Sequence, residues 1–133
     1  MIIIDTHIWI WWVHNHPSLE PWMRAKLIAH ESDAIGVSAI SCWEIARLEA
    51  DTRLNLGRPI AEWFSIALGY PAIHLLDLTP EISIDANNLP GVFHKDPADR
   101  IIVATARTFG CELLTADDKI THYAHVSVAR NTS

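Results

Sequence analysis

The sequence has 133 residues, 50% of them apolar or aromatic and 20% charged, a balance that suits one folded domain over residues 1–133 and excludes a disordered or low-complexity chain. Sixteen acids against ten bases give a formal charge of −6, the wrong sign for a protein that grips nucleic acid through a broad basic face. The longest apolar run, Ile8 to Val13, falls far short of the ~20 residues of a membrane span and no basic leader precedes it, so a cytoplasmic protein with no membrane partner is expected.

In chain order, Ile2-Ile3-Ile4 is a short β-branched run of the kind buried on both faces in parallel sheets. Similar runs recur at Ala34–Val37, Ile73–Leu76, Glu112–Thr115 and, weakly, Val126–Val128. Helical stretches alternate with them. One spans Ser18 to His30 with Pro21 near its start, a second Ser41 to Ala50, and a third opens after Pro59 and stops at Gly69-Tyr70-Pro71. A short helix begins at Thr79-Pro80-Glu81 and breaks near Leu89-Pro90-Gly91. The clearest one starts at Asp96-Pro97-Ala98-Asp99, with Asp96 as N-cap, Pro97 in the first turn and Gly110 as the left-handed stop. This alternation predicts an α/β domain with a central, mostly parallel sheet and helices on both faces. The lone thiols Cys42 and Cys111 sit among apolar residues and read as buried and reduced.

Ligands of open parallel sheets sit at the carboxyl ends of the strands, and acids crowd there. Asp5 directly follows the first strand, Glu44 lies on the first turn of the helix after the second, Asp99 lies on the first turn of the Pro97 helix, and Asp117, beside Asp118, follows Leu113-Leu114-Thr115. Each also has a structural explanation. Ser41-Cys42-Trp43-Glu44 spells a capping box, Asp99 suits a helix N-terminus, and Asp117 suits a cap. Asp5 is harder to explain this way, because a carboxylate at a buried sheet end needs a cation or hydrogen-bond donors. Four carboxylates on one rim would repel one another, and a hard divalent ion such as Mg²⁺ or Mn²⁺ removes that penalty.

Four segments together resemble the PIN-domain ribonucleases, and within them the VapC-type toxins of bacterial toxin–antitoxin pairs. They are Ile4–Trp9, Val37–Ala46, His94–Ala106 and Leu113–Asp117, in that order over nearly the whole chain. The resemblance implies a three-layer α/β/α fold, dependence on Mg²⁺ or Mn²⁺, hydrolysis of RNA by water without a side-chain nucleophile, homodimers, and neutralisation by a cognate antitoxin. Carried over by position, Asp5, Glu44, Asp99 and Asp117 form the acidic quartet, with Thr6 and Thr115 as flanking hydroxyls. Asp96 fits the D-P-x-D-R pattern but is explained equally well as a cap, and Asp118 is interchangeable with Asp117 at this level. The resemblance does not account for the acidic overall charge.

Local bases must then supply the grip on RNA: Arg47, Lys95 and Arg100 near the rim, Arg53 and Arg58 beyond it, each of which reads equally well as a solvated or acid-paired surface charge. His14-Asn15-His16 mimics a nuclease motif without its context, His122 and His125 read as a surface pair, and the tryptophans read as core or interface. Ile8 to Val13 is apolar on all sides, which suggests a partner surface around Trp11 or Trp12. The alternative reading is a non-catalytic PIN-fold module that binds RNA or protein, which the retention of all four acids disfavours. An aspartyl-phosphate enzyme is disfavoured too, since His7 stands where a second aspartate is needed.

Overall fold

The computed structural model describes residues 1–132. The chain runs β1 (Ile2–Ile4), α1 (Thr6–Val13), α2 (Pro21–Ala29), β2 (Ile35–Ser38), α3 (Ala39–Ala50), α4 (Ile60–Leu68), β3 (Ile73–Leu76), α5 (Pro80–Ala86), α6 (Pro97–Phe109), β4 (Glu112–Leu114) and α7 (Asp118–Thr121). The four strands pair in parallel in the order β3-β2-β1-β4. Side chains alternate across a strand, so Ile2 and Ile4 enter a core shared with α1, α2 and α4, while Ile3 enters a second core shared with α5, α6 and α7. Helices therefore cover both faces of the sheet, as the sequence pattern predicts.

Several boundaries differ from the sequence reading. Thr6–Val13 forms a helix that the uniform apolarity of Ile8–Val13 had concealed; Ile8, Trp9 and Ile10 are buried and Trp11, Trp12 and Val13 half-buried. Helix α3 starts two residues earlier than Ser41, because the Ser38 side chain accepts from the Ile40 N–H at 3.2 Å and so acts as the N-cap. Strand β3 is an edge strand with His74 and Leu75 exposed, not one buried on both faces. Val126–Val128 supplies one isolated bridge, Leu113 to Val128, and no strand. The cysteines are free and half-buried.

Two helix ends follow their sequence signals closely. Asp96 caps α6 by accepting from the Ala98 N–H at 3.0 Å, and Gly110 ends that helix at φ 64°, a left-handed conformation that costs a residue with a Cβ more than it costs glycine. No described helix is long and apolar enough to cross a membrane.

Candidate metal centre

The strand order places a topological switch between β1 and β4. The chain winds outward from β1 through β2 to β3, then returns to the other side of β1, and crevices for ligands open at such points. The pairing of Ile4 with Leu114 sets the next residues, Asp5 and Thr115, side by side at the carboxyl ends of their strands. The Thr115 hydroxyl donates to Asp5 Oδ2, and the Ile8 N–H donates to Asp5 Oδ1 at 3.0 Å as part of the α1 cap. Asp5 is only 7% exposed.

Asp5, Glu44, Asp99 and Asp117 line one cleft of about 290 Å³, together with Thr6, His7, Trp11 and Asp96. All four acids picked from the sequence thus share a rim. Asp99 comes from the first turn of α6, Asp117 is the N-cap of α7, with Oδ1 accepting from the Lys119 N–H at 2.8 Å, and Thr115 Oγ1 accepts from the Asp117 N–H at 3.0 Å. Glu44 stands on the second turn of α3 rather than the first, since the helix starts at Ala39. The capping-box reading of Ser41 and Glu44 fails for the same reason. Ser41 lies inside the helix, fully buried, and its Oγ accepts from Thr6 Oγ1 at 2.9 Å, which ties α1 to α3 beneath the cleft.

The electrostatics are those of crowded acids. Burial pushes the Asp5 carboxyl up to about 6, opposed by the hydrogen bonds from Thr115 and Ile8, with the negative charge of Asp99 adding to the rise. Burial likewise raises Asp99, where the His94 hydrogen bond opposes it and the charges of Asp96 and Asp117 reinforce it. Asp5 therefore senses the charge of Asp99 across the cleft. Both are most easily kept ionised by a nearby positive charge.

His94 is the residue that sequence reasoning missed. Its Nε2 lies 2.7 Å from Asp99 Oδ2, and ligand atoms of His94, Asp96 and Asp99 fall within 4.8 Å of one another, the one such trio among the described residues. Its position five residues before Asp99, across a proline-opened helix start, was the available signal. The donor set of carboxylate oxygens with one imidazole fits a hard divalent ion such as Mg²⁺ or Mn²⁺, which would relieve the repulsion that the neighbouring carboxylates exert on Asp99.

Other residues are placed differently from their sequence reading. Arg100 points away from solvent chemistry: its guanidinium donates to the carbonyls of Ala86 at 2.8 Å and of Phe93 and His94 at 3.1 Å each, holding the segment before α6. His14 accepts from Trp63 Nε1 at 2.9 Å, a structural contact rather than a nuclease motif. Trp9 and Trp63 meet edge-on at 5.3 Å in the core, whereas Trp43 is 55% exposed.

The family model for the PIN domain matches residues 2–126. The chain belongs to the PIN-domain family. It is 32% identical over 124 residues to the ribonuclease VapC22 of Mycobacterium tuberculosis, covering 93% of this chain and 92% of that one, which places it among the VapC proteins. Its fold is similar to the VapBC2 complex of Rickettsia felis bound to a promoter DNA fragment, at a TM-score of 0.70 and 17% identity, with 97% and 98% of the two chains covered. It is similar too to the sarcin–ricin-loop-cleaving toxin VapC20 of M. tuberculosis, at a TM-score of 0.60 and 14% identity, with 96% and 99% covered. At those identities the two structures speak for the PIN-like α/β/α architecture alone.

Proposed function

We propose that this PIN-domain protein, acting as one domain, is a divalent-metal-dependent endoribonuclease and the toxin of a toxin–antitoxin pair. The observation that carries the reading is the convergence of Asp5, Glu44, Asp99 and Asp117 on one cleft at the β1–β4 switch point. The named ribonuclease activity of the 32%-identical VapC relative supports it, as do the toxin–antitoxin complexes among the structural neighbours, one of them from Klebsiella pneumoniae.

In this reading Asp5 and Asp99 hold the principal ion, Mg²⁺ or Mn²⁺, Asp117 completes the site, and Glu44 orients the attacking water. When bound, the ion supplies positive charge that offsets the charge building on the phosphoryl oxygens and makes nearby water more acidic. The chain's own contribution is to pre-arrange the donors. Asp5 is fixed from both sides by the Ile8 N–H and the Thr115 hydroxyl, and Asp99 is steadied by His94. Neither has to be ordered when substrate arrives. Without ions the cleft repels a phosphate; four carboxylates account for the difference between a charge of −6 and one of −2, so ion loading is a large part of the attraction for RNA.

The test is cleavage of RNA by the purified protein with Mg²⁺ or Mn²⁺, its arrest by EDTA, and its loss in Asp5→Asn and Asp99→Asn proteins that still fold. Mapping RNA ends in cells after induction, with Asp5→Asn as the control, then identifies the target. A cognate antitoxin is expected to co-purify with the toxin and suppress cleavage, and the free toxin is expected to sediment as a homodimer. RNA that stays intact in the presence of every divalent ion tested would favour the non-catalytic binding module.

A further inference from the structure

A chain of net charge −6 that binds RNA needs a local reversal of sign, and the structure narrows where it can be. Arg58 is paired with Glu62, Arg107 with Asp85, and Arg100 is occupied by backbone carbonyls. Of the bases with no carboxylate at ion-pair distance among the described residues, Lys95 and Lys119 included, the exposed Arg47 and Arg53 stand out because they line a groove that adjoins the acidic cleft. These two line a groove of about 540 Å³ with Trp43, Leu48 and Pro97. His7, Glu44 and Asp96 line both this groove and the acidic cleft, so the two are continuous.

Trp43 is the second observation. A large aromatic ring that is 55% exposed leaves apolar area in water that core packing does not explain. The Arg47 guanidinium lies 5.4 Å from its ring centroid, a cation–π arrangement that holds the indole in place beside a fixed positive charge. Trp43 directly precedes Glu44 on α3, so the exposed ring and the cleft carboxylate are carried by one rigid element.

We propose that this groove is the subsite for the nucleotides next to the phosphate under attack: Trp43 stacks on an unpaired base, and Arg47 and Arg53 contact the neighbouring phosphates. The proposal rests on the ribonuclease reading above and adds the residues of this chain that hold the nucleotides beside the cleft. An exposed aromatic ring stacks on a splayed base and has no counterpart in a base-paired duplex, whose faces are already covered. A phosphate seated in the cleft carries its neighbouring nucleotides into what adjoins it, and the groove continuous with the cleft presents the Arg47 and Arg53 guanidinium groups, neither of them held by a carboxylate.

The experiment uses the Glu44→Gln protein, which lacks the residue that orients the attacking water but keeps the ion ligands Asp5, Asp99 and Asp117, and a fluorescein-labelled oligoribonucleotide of about 12 nucleotides in Mg²⁺, as single strand and as duplex. Binding is read by anisotropy over a salt series. Adding Trp43→Ala or Arg53→Gln is expected to weaken single-strand binding roughly 5- to 100-fold, with Trp43→Phe restoring most of the loss. Arg53→Gln is expected also to reduce the slope of log affinity against log salt by about 0.7, one phosphate contact. Unchanged affinity in both variants, duplex binding as tight as single-strand binding, or no RNA binding at all overturns the proposal. So does a shift from dimer to monomer in Trp43→Ala by sedimentation, which makes the groove an interface between copies. If the wild type binds the oligonucleotide through these residues but leaves it uncut with Mg²⁺ and Mn²⁺, the ribonuclease reading fails while the groove stands.

Discussion

The Thr115 hydroxyl donates to Asp5 Oδ2 across 110 residues of chain, joining the carboxyl ends of the two strands between which the cleft opens. The same oxygen of Thr115 accepts from the Asp117 N–H. One side chain thus sets two of the four acids relative to each other, and a buried carboxylate held by a single hydroxyl and a single N–H remains short of the donors it would have in water.

Asp5 should therefore cost the folded protein stability at neutral pH. Its carboxyl is raised from 3.8 to about 6, chiefly by burial. Because the folded value lies above the unfolded one, the stabilisation from proton uptake is complete below pH 3.8 and is lost as pH rises through about 6. In EDTA at pH 7.5 the Asp5→Asn protein should be more stable than the wild type by on the order of 3 kcal/mol, and the advantage should vanish at pH 4. Thermal melts of both proteins at the two pH values check this, and an Asp5→Asn protein that melts below the wild type at pH 7.5 contradicts it.

The buried Thr6–Ser41 hydrogen bond couples α1 to α3. Ser41→Ala strands the Thr6 hydroxyl without its acceptor and should destabilise the fold by about 1–3 kcal/mol. Adding Thr6→Val removes the stranded group and should recover part of that loss. A double-mutant cycle in urea reads the coupling between the two positions: the double variant should lose less stability than the two single losses added together.

Arg100 should behave as a structural residue and not as an RNA contact. Its three carbonyl partners lie on Ala86, Phe93 and His94, so Arg100→Ala should cost roughly 2–4 kcal/mol. Arg100→Lys should recover little, since an ammonium cannot reproduce the planar fork. The salt dependence of RNA binding in Arg100→Lys, measured well below its melting temperature, should match the wild type.

Much of this was legible in the chain. An acid after an all-apolar strand, a proline-opened helix with Asp96 and Asp99 at its head, and Gly110 at its end are local signals, and each sits where local physics puts it. What was hidden is non-local. Thr6–Val13 has no polar face to mark its helical period, because α1 packs on the sheet and on Trp63 and Phe64 at once. Ser41 looked like a cap because its sequence neighbours fit one, whereas its partner is Thr6, brought close only by the pairing of β1 with β2. His94 and Arg100 stand in a legible segment, but their partners could not be read from it. Their roles arise from the turn before α6, which brings His94 to Asp99 and the backbone carbonyls to Arg100.

The central claim is that the converging carboxylates bind a divalent ion. The most direct test is titration of Mn²⁺ into the wild-type, Asp5→Asn and Asp99→Asn proteins, with free ion read by electron paramagnetic resonance. Saturable binding by the wild type that is lost or greatly weakened in both variants is the predicted result. Equal Mn²⁺ affinity in all three proteins would contradict the claim.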